Sequence, residues 1–305
     1  MTIRSLIAAG AVVLAPAPLR AQRAAPALEH FTVNVGGEPL AVWARRPSRP
    51  RGTILLVHGR TWSARPDFDL QVPGESRSVL EALAAHGYAA YAVDLRGYGS
   101  SPRDGTGWDT PNRAAEDVSE VLDWIAKTQP MPKRPVLLGW SNGSLVSQLT
   151  AQRHGDRMSG LILYGYPRDP DTHTPAGGDP AIPPRVRTTA ADAASDFISP
   201  AVTSKAMVGA YVAVALADDP VRSDWRNLEQ WNALDPAKVR VPILLLQGEH
   251  DPQIPMATWR RFYDRLAAHD KTPVVLTGGD HAALLEDTRP SFIDAVTAFA
   301  DRVIR

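Results

Sequence analysis

The residue pattern predicts an α/β fold: a mostly parallel central sheet flanked by helices, with a largely helical segment inserted late in the chain. Three observations carry this. Short apolar runs at 53–58, 88–93, 136–140, 161–164, 241–246 and 273–276 alternate with stretches of helical periodicity. Strands interleaved with helices in this way make a parallel sheet buried on both faces. The alternation breaks off at 167 and resumes at 241, an interval too long for a simple crossover. Finally, Gly139-Trp140-Ser141-Asn142-Gly143 stands where one such strand gives way to a helix.

In order along the chain, Met1 to Arg4 is weakly basic, and 5–19 is uncharged and rich in Ala, Val, Leu and Ile. Ala21-Gln22 offers a cleavage point. This is the layout of an export leader over 1–21, too short and too interrupted by proline to span a bilayer stably. The expectation is a secreted or periplasmic protein without stable membrane insertion. The folded core is expected over 28–165 and 240–305, with the inserted cap over 166–239.

Alternating residues at 31–35 and 40–44 flank Gly36-Gly37-Glu38-Pro39 and read as a hairpin. The run at 53–58 ends in His58-Gly59-Arg60-Thr61-Trp62. Helical spacing follows at Val79, Leu80 and Leu83, and Gly87 marks a stop. After the 88–93 strand comes the polar, glycine-containing stretch Asp94-Leu95-Arg96-Gly97-Tyr98-Gly99-Ser100-Ser101. A helix starts at Pro111 behind the cap residue Thr110, with Ala115, Val118, Val121, Leu122 and Ile125 on its apolar face. Residues 167–184 are rich in Pro, Gly and Asp and read as loop. The last helix carries Phe292, Ile293, Val296, Phe299 and Val303 on one stripe.

Composition closes off several functions. The 33 basic and 33 acidic residues balance, so no overall field attracts nucleic acid. There is no cysteine, which removes thiol nucleophiles, disulfides and Cys-ligated metals. Neither metal-ligand spacing nor a dinucleotide glycine fingerprint appears, so no metal or organic cofactor is expected.

Ligands of open parallel sheets bind at the carboxyl ends of the strands. Ser141 follows one strand, Gly248-Glu249-His250-Asp251-Pro252 a later one, and Gly279-Asp280-His281 the last. A serine is a weak nucleophile and needs a base in reach. A neutral imidazole supplies one, provided an acid fixes its tautomer. Serine, acid and histidine occur in the chain order of a hydrolase triad. With His58-Gly59, the Asp94–Ser101 turn and the Gly139–Gly143 elbow, the chain resembles the α/β-hydrolase superfamily over roughly residues 50 to 300, specifically a serine esterase or lipase with a helical cap. The resemblance implies Ser141 as nucleophile, His281 as base and Asp251 as acid. It implies an oxyanion hole from the backbone N–H of Asn142 and of Arg60, and it makes the Asp94–Ser101 segment a structural turn anchored through Asp94 and Arg96. The Arg60 side chain, which could pair with a substrate carboxylate, is expected to point to water instead. A serine at the elbow sets the chain apart from haloalkane dehalogenases and epoxide hydrolases of the same fold, which place an aspartate there.

Rivals exist for each role. Asp169, Asp171 and Glu249 compete with Asp251, which the Gly-x-x-Asp-Pro frame favours; His250 and His58 compete with His281. Trp62, Trp140, Tyr164 and Tyr166 lie beside strand ends and together suggest an aromatic-rimmed pocket for an apolar acyl or aryl group. The expected activity is hydrolysis of a small carboxylic ester through an acyl-enzyme. Aminopeptidase, amidase, lactonase and carbon–carbon hydrolase activities share the machinery and stay open, as does a non-catalytic binding module. An aminopeptidase would need acids such as Asp218, Asp219, Asp224 or Glu229 to hold an ammonium group.

Overall fold

The computed structural model describes residues 25–304, so the leader expected at 1–21 lies outside the described residues. The chain opens on an antiparallel hairpin of β1 (Glu29–Val35) and β2 (Glu38–Arg45). Two residues, Gly36 and Gly37, make its turn at φ 56° and 87°. Two positive φ values are what a tight hairpin demands, and glycine meets them without a steric penalty. Six further strands follow: β3 (Gly52–Val57), β4 (Tyr88–Val93), β5 (Val136–Trp140), β6 (Gly160–Tyr164), β7 (Ile243–Gly248) and β8 (Lys271–Leu276). The sheet order is β1-β2-β4-β3-β5-β6-β7-β8; β2 runs antiparallel to both neighbours, and every later pair is parallel.

Strand side chains alternate between two cores. Leu55, Val57, Leu137, Leu161, Leu163 and Leu245 face α3 (Pro111–Thr128), α4 (Asn142–His154) and α7 (Met256–Arg265). Ile54, Leu56, Leu138, Ile162, Leu244 and Leu246 face α1 (Ala64–Phe68), α2 (Val79–Ala85) and α8 (Arg289–Val303). Every second residue lands on the same face, so strands apolar at consecutive positions need helices on both sides. α3 starts as its sequence dictates, with Pro111 in the first turn and the Thr110 hydroxyl accepting from Arg113 N at 3.3 Å.

Between β6 and β7 lies the insert. It is irregular until α5 (Ala190–Ala194) and α6 (Lys205–Asp218), then passes through short 3₁₀ turns at Leu228–Ala233 and Pro236–Lys238. Backbone bonds fasten it to the core: Asp109 N donates to Asp224 O at 2.8 Å, and Arg226 N donates to Asp109 O at 3.0 Å. Helix α1 has no counterpart among the sequence expectations. One and a half turns carry no readable period, and its buried Asp67 imitates a loop residue.

Candidate active site

Ser141 caps the turn between β5 and α4 at φ 55°, ψ −123°, a conformation that costs a residue with a Cβ about 1–3 kcal/mol. Both flanking glycines are required by space. A Cβ on Gly139 would strike the Gly143 backbone, and one on Gly143 would strike the carbonyls of Val57 and His58. Helix α4 is thereby packed directly on the end of β3, and the loop after β3 lies against the serine. A Cβ on Gly59 would stand 3.7 Å from Ser141 Cβ. Among the described residues, the N–H groups of Arg60 and Asn142 have no partner within the protein. The second opens α4, where unpaired N–H groups favour negative charge.

His281 and Asp251, on the loops after β8 and β7, meet: Nδ1 and Oδ2 are 2.8 Å apart, with both side chains buried. The other Asp251 oxygen accepts from Gln253 N at 2.9 Å. The histidine is confined from several sides. Trp140 Nε1 donates to its carbonyl at 2.8 Å, and Gly165 leaves so little room that a Cβ would come within 2.9 Å of the ring. Tyr164 sits between two rungs of the same loop, donating to Asp280 O at 2.7 Å and accepting from Ala283 N at 2.9 Å. Below the ring the Asp280 and Glu286 carboxyls are buried side by side, and Glu286 Oε2 accepts from Asp280 N at 3.2 Å. Burial, reinforced by Asp280, pushes the Glu286 carboxyl up to about 9, so Glu286 holds its proton at neutral pH.

The rival residues are engaged elsewhere. Asp169 pairs with Arg261, and Asp171 with Arg265 at 2.7 Å. Glu249 accepts from Gly278 N at 2.9 Å, while the His250 side chain is 60% exposed. His58 is fully buried. Its Nε2 accepts from Leu95 N at 3.0 Å and its Nδ1 lies 2.9 Å from Gly59 O, and burial pushes its pKa down to about 4. It shapes the loop as a neutral ring. In the turn after β4, Asp94 accepts from Trp43 Nε1, Ala64 N and Ser100 N, and Arg96 makes a two-pronged pair with Asp117.

Two expectations need correction. The Arg60 side chain does not point to water: its guanidinium lies 4.9 Å from the centre of the Trp225 ring, over its face. The four aromatic residues do not form an open rim, because Trp62, Trp140, Tyr164 and Tyr166 are all buried. Trp140 and Tyr164 hold the histidine loop, Tyr166 packs on Phe262 with ring centres 4.3 Å apart, and Trp62 meets Tyr211 edge-on. Position beside a strand end does not say whether a ring faces the cleft or the next element.

Sequence reasoning missed Asp67, Asp196 and Tyr211. Asp67 is wholly buried, accepts from Gly59 N at 3.1 Å and from the Tyr211 hydroxyl at 2.9 Å, and has its carboxyl raised by burial. Asp196 is raised by burial as well, and lies close to His281. No local motif marks either aspartate. Gly165 was equally silent, since only its packing against His281 sets it apart.

Fold and site together define an α/β-hydrolase with a serine elbow. The family model described as serine aminopeptidase, S33 (Hydrolase_4) matches residues 48–288, and the chain belongs to this family. It is 24% identical over 283 residues to a monoacylglycerol lipase from Mycolicibacterium smegmatis, covering 89% of this chain and 96% of that one. It is 27% identical over 247 residues to a pimeloyl-[acyl-carrier protein] methyl ester esterase from Aeromonas salmonicida, covering 72% and 88%. Its fold superposes on a serine hydrolase involved in carbazole degradation, the CarC enzyme, with TM-score 0.65 at 18% identity, covering 90% of this chain and 99% of that one. The family is of esterase and lipase type.

Proposed function

We propose that the protein is a serine hydrolase that cleaves small carboxylic esters through an acyl-enzyme. The observation that carries this is the 2.8 Å contact between His281 Nδ1 and Asp251 Oδ2, beside a serine held at φ 55°. Asp251 accepts the Nδ1 proton and leaves Nε2 as the acceptor for the Ser141 hydroxyl proton. Ser141 Oγ attacks the ester carbonyl, and the unpaired N–H groups of Arg60 and Asn142 receive the oxyanion. His281 returns the proton to the leaving alcohol. Water then attacks the acyl carbonyl and gives a proton to His281, which returns it to Ser141 Oγ as the Oγ–acyl bond breaks and the acid leaves. One such N–H is worth roughly 3–4 kcal/mol of barrier. The names of the relatives, a lipase and a methyl ester esterase, support an ester as substrate.

The acids considered for an ammonium group favour the ester reading. Asp218 pairs with Arg65, Asp219 accepts from Ser63 N and Gly99 N, and Asp224 pairs with Arg103. Asp196, near His281, and Glu229 keep an aminopeptidase as the second reading. A fluorophosphonate probe tests the first: it labels Ser141 in the folded protein, and absence of labelling sinks the proposal. His281→Ala abolishes turnover of p-nitrophenyl esters while His250→Ala preserves it, and an aminoacyl arylamide run alongside separates ester from peptide-bond hydrolysis.

A further inference from the structure

The loop that supplies one oxyanion donor is held largely by the insert. Residues 59–63 are tied to it one after another. Gly59 N donates to Asp67 Oδ2 at 3.1 Å, and the other oxygen of that carboxylate accepts from Tyr211 Oη of α6 at 2.9 Å. Arg60 O accepts from the Tyr98 hydroxyl at 2.6 Å, which itself accepts from Trp225 Nε1 at 2.8 Å, and the Arg60 guanidinium lies over the Trp225 ring. Thr61 Oγ1 accepts from Arg222 at 3.1 Å. Trp62 meets the Tyr211 ring edge-on, with centres 6.5 Å apart. Ser63 N donates to Asp219 Oδ2 at 2.8 Å, while Asp219 Oδ1 accepts from Gly99 N. Tyr211, Asp219, Arg222 and Trp225 thus reach five consecutive residues directly or through one core side chain.

We infer that the insert is a structural half of the oxyanion hole, with Tyr211 and Trp225 as positioning residues for the Arg60 amide. This rests on the reading of Arg60 N–H as an oxyanion donor. The physical reason is preorganisation: a donor stabilises a developing charge only if it already points where the charge will form. Gly59 and Arg60 belong to no helix or strand, so no regular backbone ladder fixes the peptide between them. His58 Nδ1 lies 2.9 Å from the Gly59 carbonyl of that peptide, and the peptide's direction is set further by the Gly59 N–H on one side and the Arg60 carbonyl on the other. Asp67 holds the first and Tyr98 the second, and both groups take their remaining partner from the insert. Asp67 and Tyr98 are buried, so each has few other ways to satisfy its polar atoms. Removing the Tyr211 hydroxyl or the Trp225 N–H takes away the partner that fixes Asp67 or Tyr98, and so loosens one end of that peptide without touching Ser141, His281 or Asp251.

The test uses Tyr211→Phe and Trp225→Phe in the full-length protein, with Asp219→Asn as a third variant should either fail to fold. The assay measures kcat and KM separately on a p-nitrophenyl ester, together with inhibition by a trifluoromethyl ketone that forms a tetrahedral adduct. A donor that acts on the transition state is lost from kcat and leaves ground-state binding alone. The expected result is a fall of about tenfold or more in kcat at near-constant KM, less than the ~10²–10³-fold of an outright donor deletion. Ketone inhibition weakens by the same factor as kcat/KM. Folded variants with unchanged kcat, or with only KM raised, overturn the inference and reduce the insert to a wall of the pocket. A wild-type protein without esterase activity, or a Ser141→Ala variant that keeps it, overturns the underlying functional reading instead.

Discussion

Gly165→Ala puts the confinement of His281 to the test with one methyl group. Gly165 follows β6 at φ +55°, and a Cβ there would stand 2.9 Å from His281 Cε1, 3.0 Å from Nδ1 and 3.4 Å from Asp251 Oδ2. Non-bonded carbons settle at about 3.5–4.0 Å, so the ring or the loop must give by roughly 0.5 Å or more. The left-handed backbone costs alanine a further ~1–2 kcal/mol. Two readouts separate these effects. The backbone term lowers Tm by a few degrees, at roughly 2–4 °C per kcal/mol for a large domain. The displaced imidazole lowers kcat/KM on a p-nitrophenyl ester by ~10–10²-fold, as misplacements approaching 1 Å do. Initial rates are taken well below both melting points, so that unfolding does not contribute. A variant with lowered Tm but unchanged kcat/KM would falsify the reading, because it would show that the working base is not the ring packed against Gly165.

Three further predictions follow from the same geometry. Asp251→Asn lowers kcat by about 10⁴-fold through the wrong imidazole tautomer, whereas Asp169→Asn leaves it near wild type because Asp169 serves Arg261; equal losses in steady-state assays would move the acid role away from Asp251. Glu286 faces Asp280, Asp287 and Tyr164, with Arg77 engaged by Asp287, and it keeps its proton in the fold up to about 9 against an ordinary value of 4.5. Between those pH values the unfolded chain releases the proton first, so stability falls as pH rises. Glu286→Gln removes that slope, and its Tm gains on wild type from pH 5 to pH 9; parallel curves would refute a Glu286 that keeps its proton in the fold. Export with cleavage after Ala21 predicts that Edman sequencing of the mature protein starts at Gln22-Arg23. A start at Met1 counts against it.

The strands were legible because burial on both faces writes itself as consecutive apolar residues. Expected and observed limits differ by no more than two residues at each strand end, the hairpin included. The long helices were legible through their stripes, as α3 and α8 illustrate. Helix α1 was not, because five residues are too few for a period to repeat. The serine, acid and histidine were legible as polar residues in glycine-rich turns directly after strands. The roles of the aromatic residues were not, because Tyr164 and Tyr166 are near-neighbours in sequence yet pack on opposite sides of the sheet.

By itself, the order of residues determined the strand rhythm, the elbow at Ser141 and the three loops that carry the candidate site. These depend on local rules: which backbone a glycine permits, and which side chains a buried strand accepts. Only the tertiary structure decided that His281 contacts Asp251 while Asp169 serves an arginine. It alone placed Gly165 against the imidazole, and it tied residues 59–63 to Tyr211, Asp219, Arg222 and Trp225. Those contacts join segments from 30 to more than 150 residues apart, and no local propensity encodes them. They arise where the insert folds back over the carboxyl ends of the strands and buries polar groups that must find partners there.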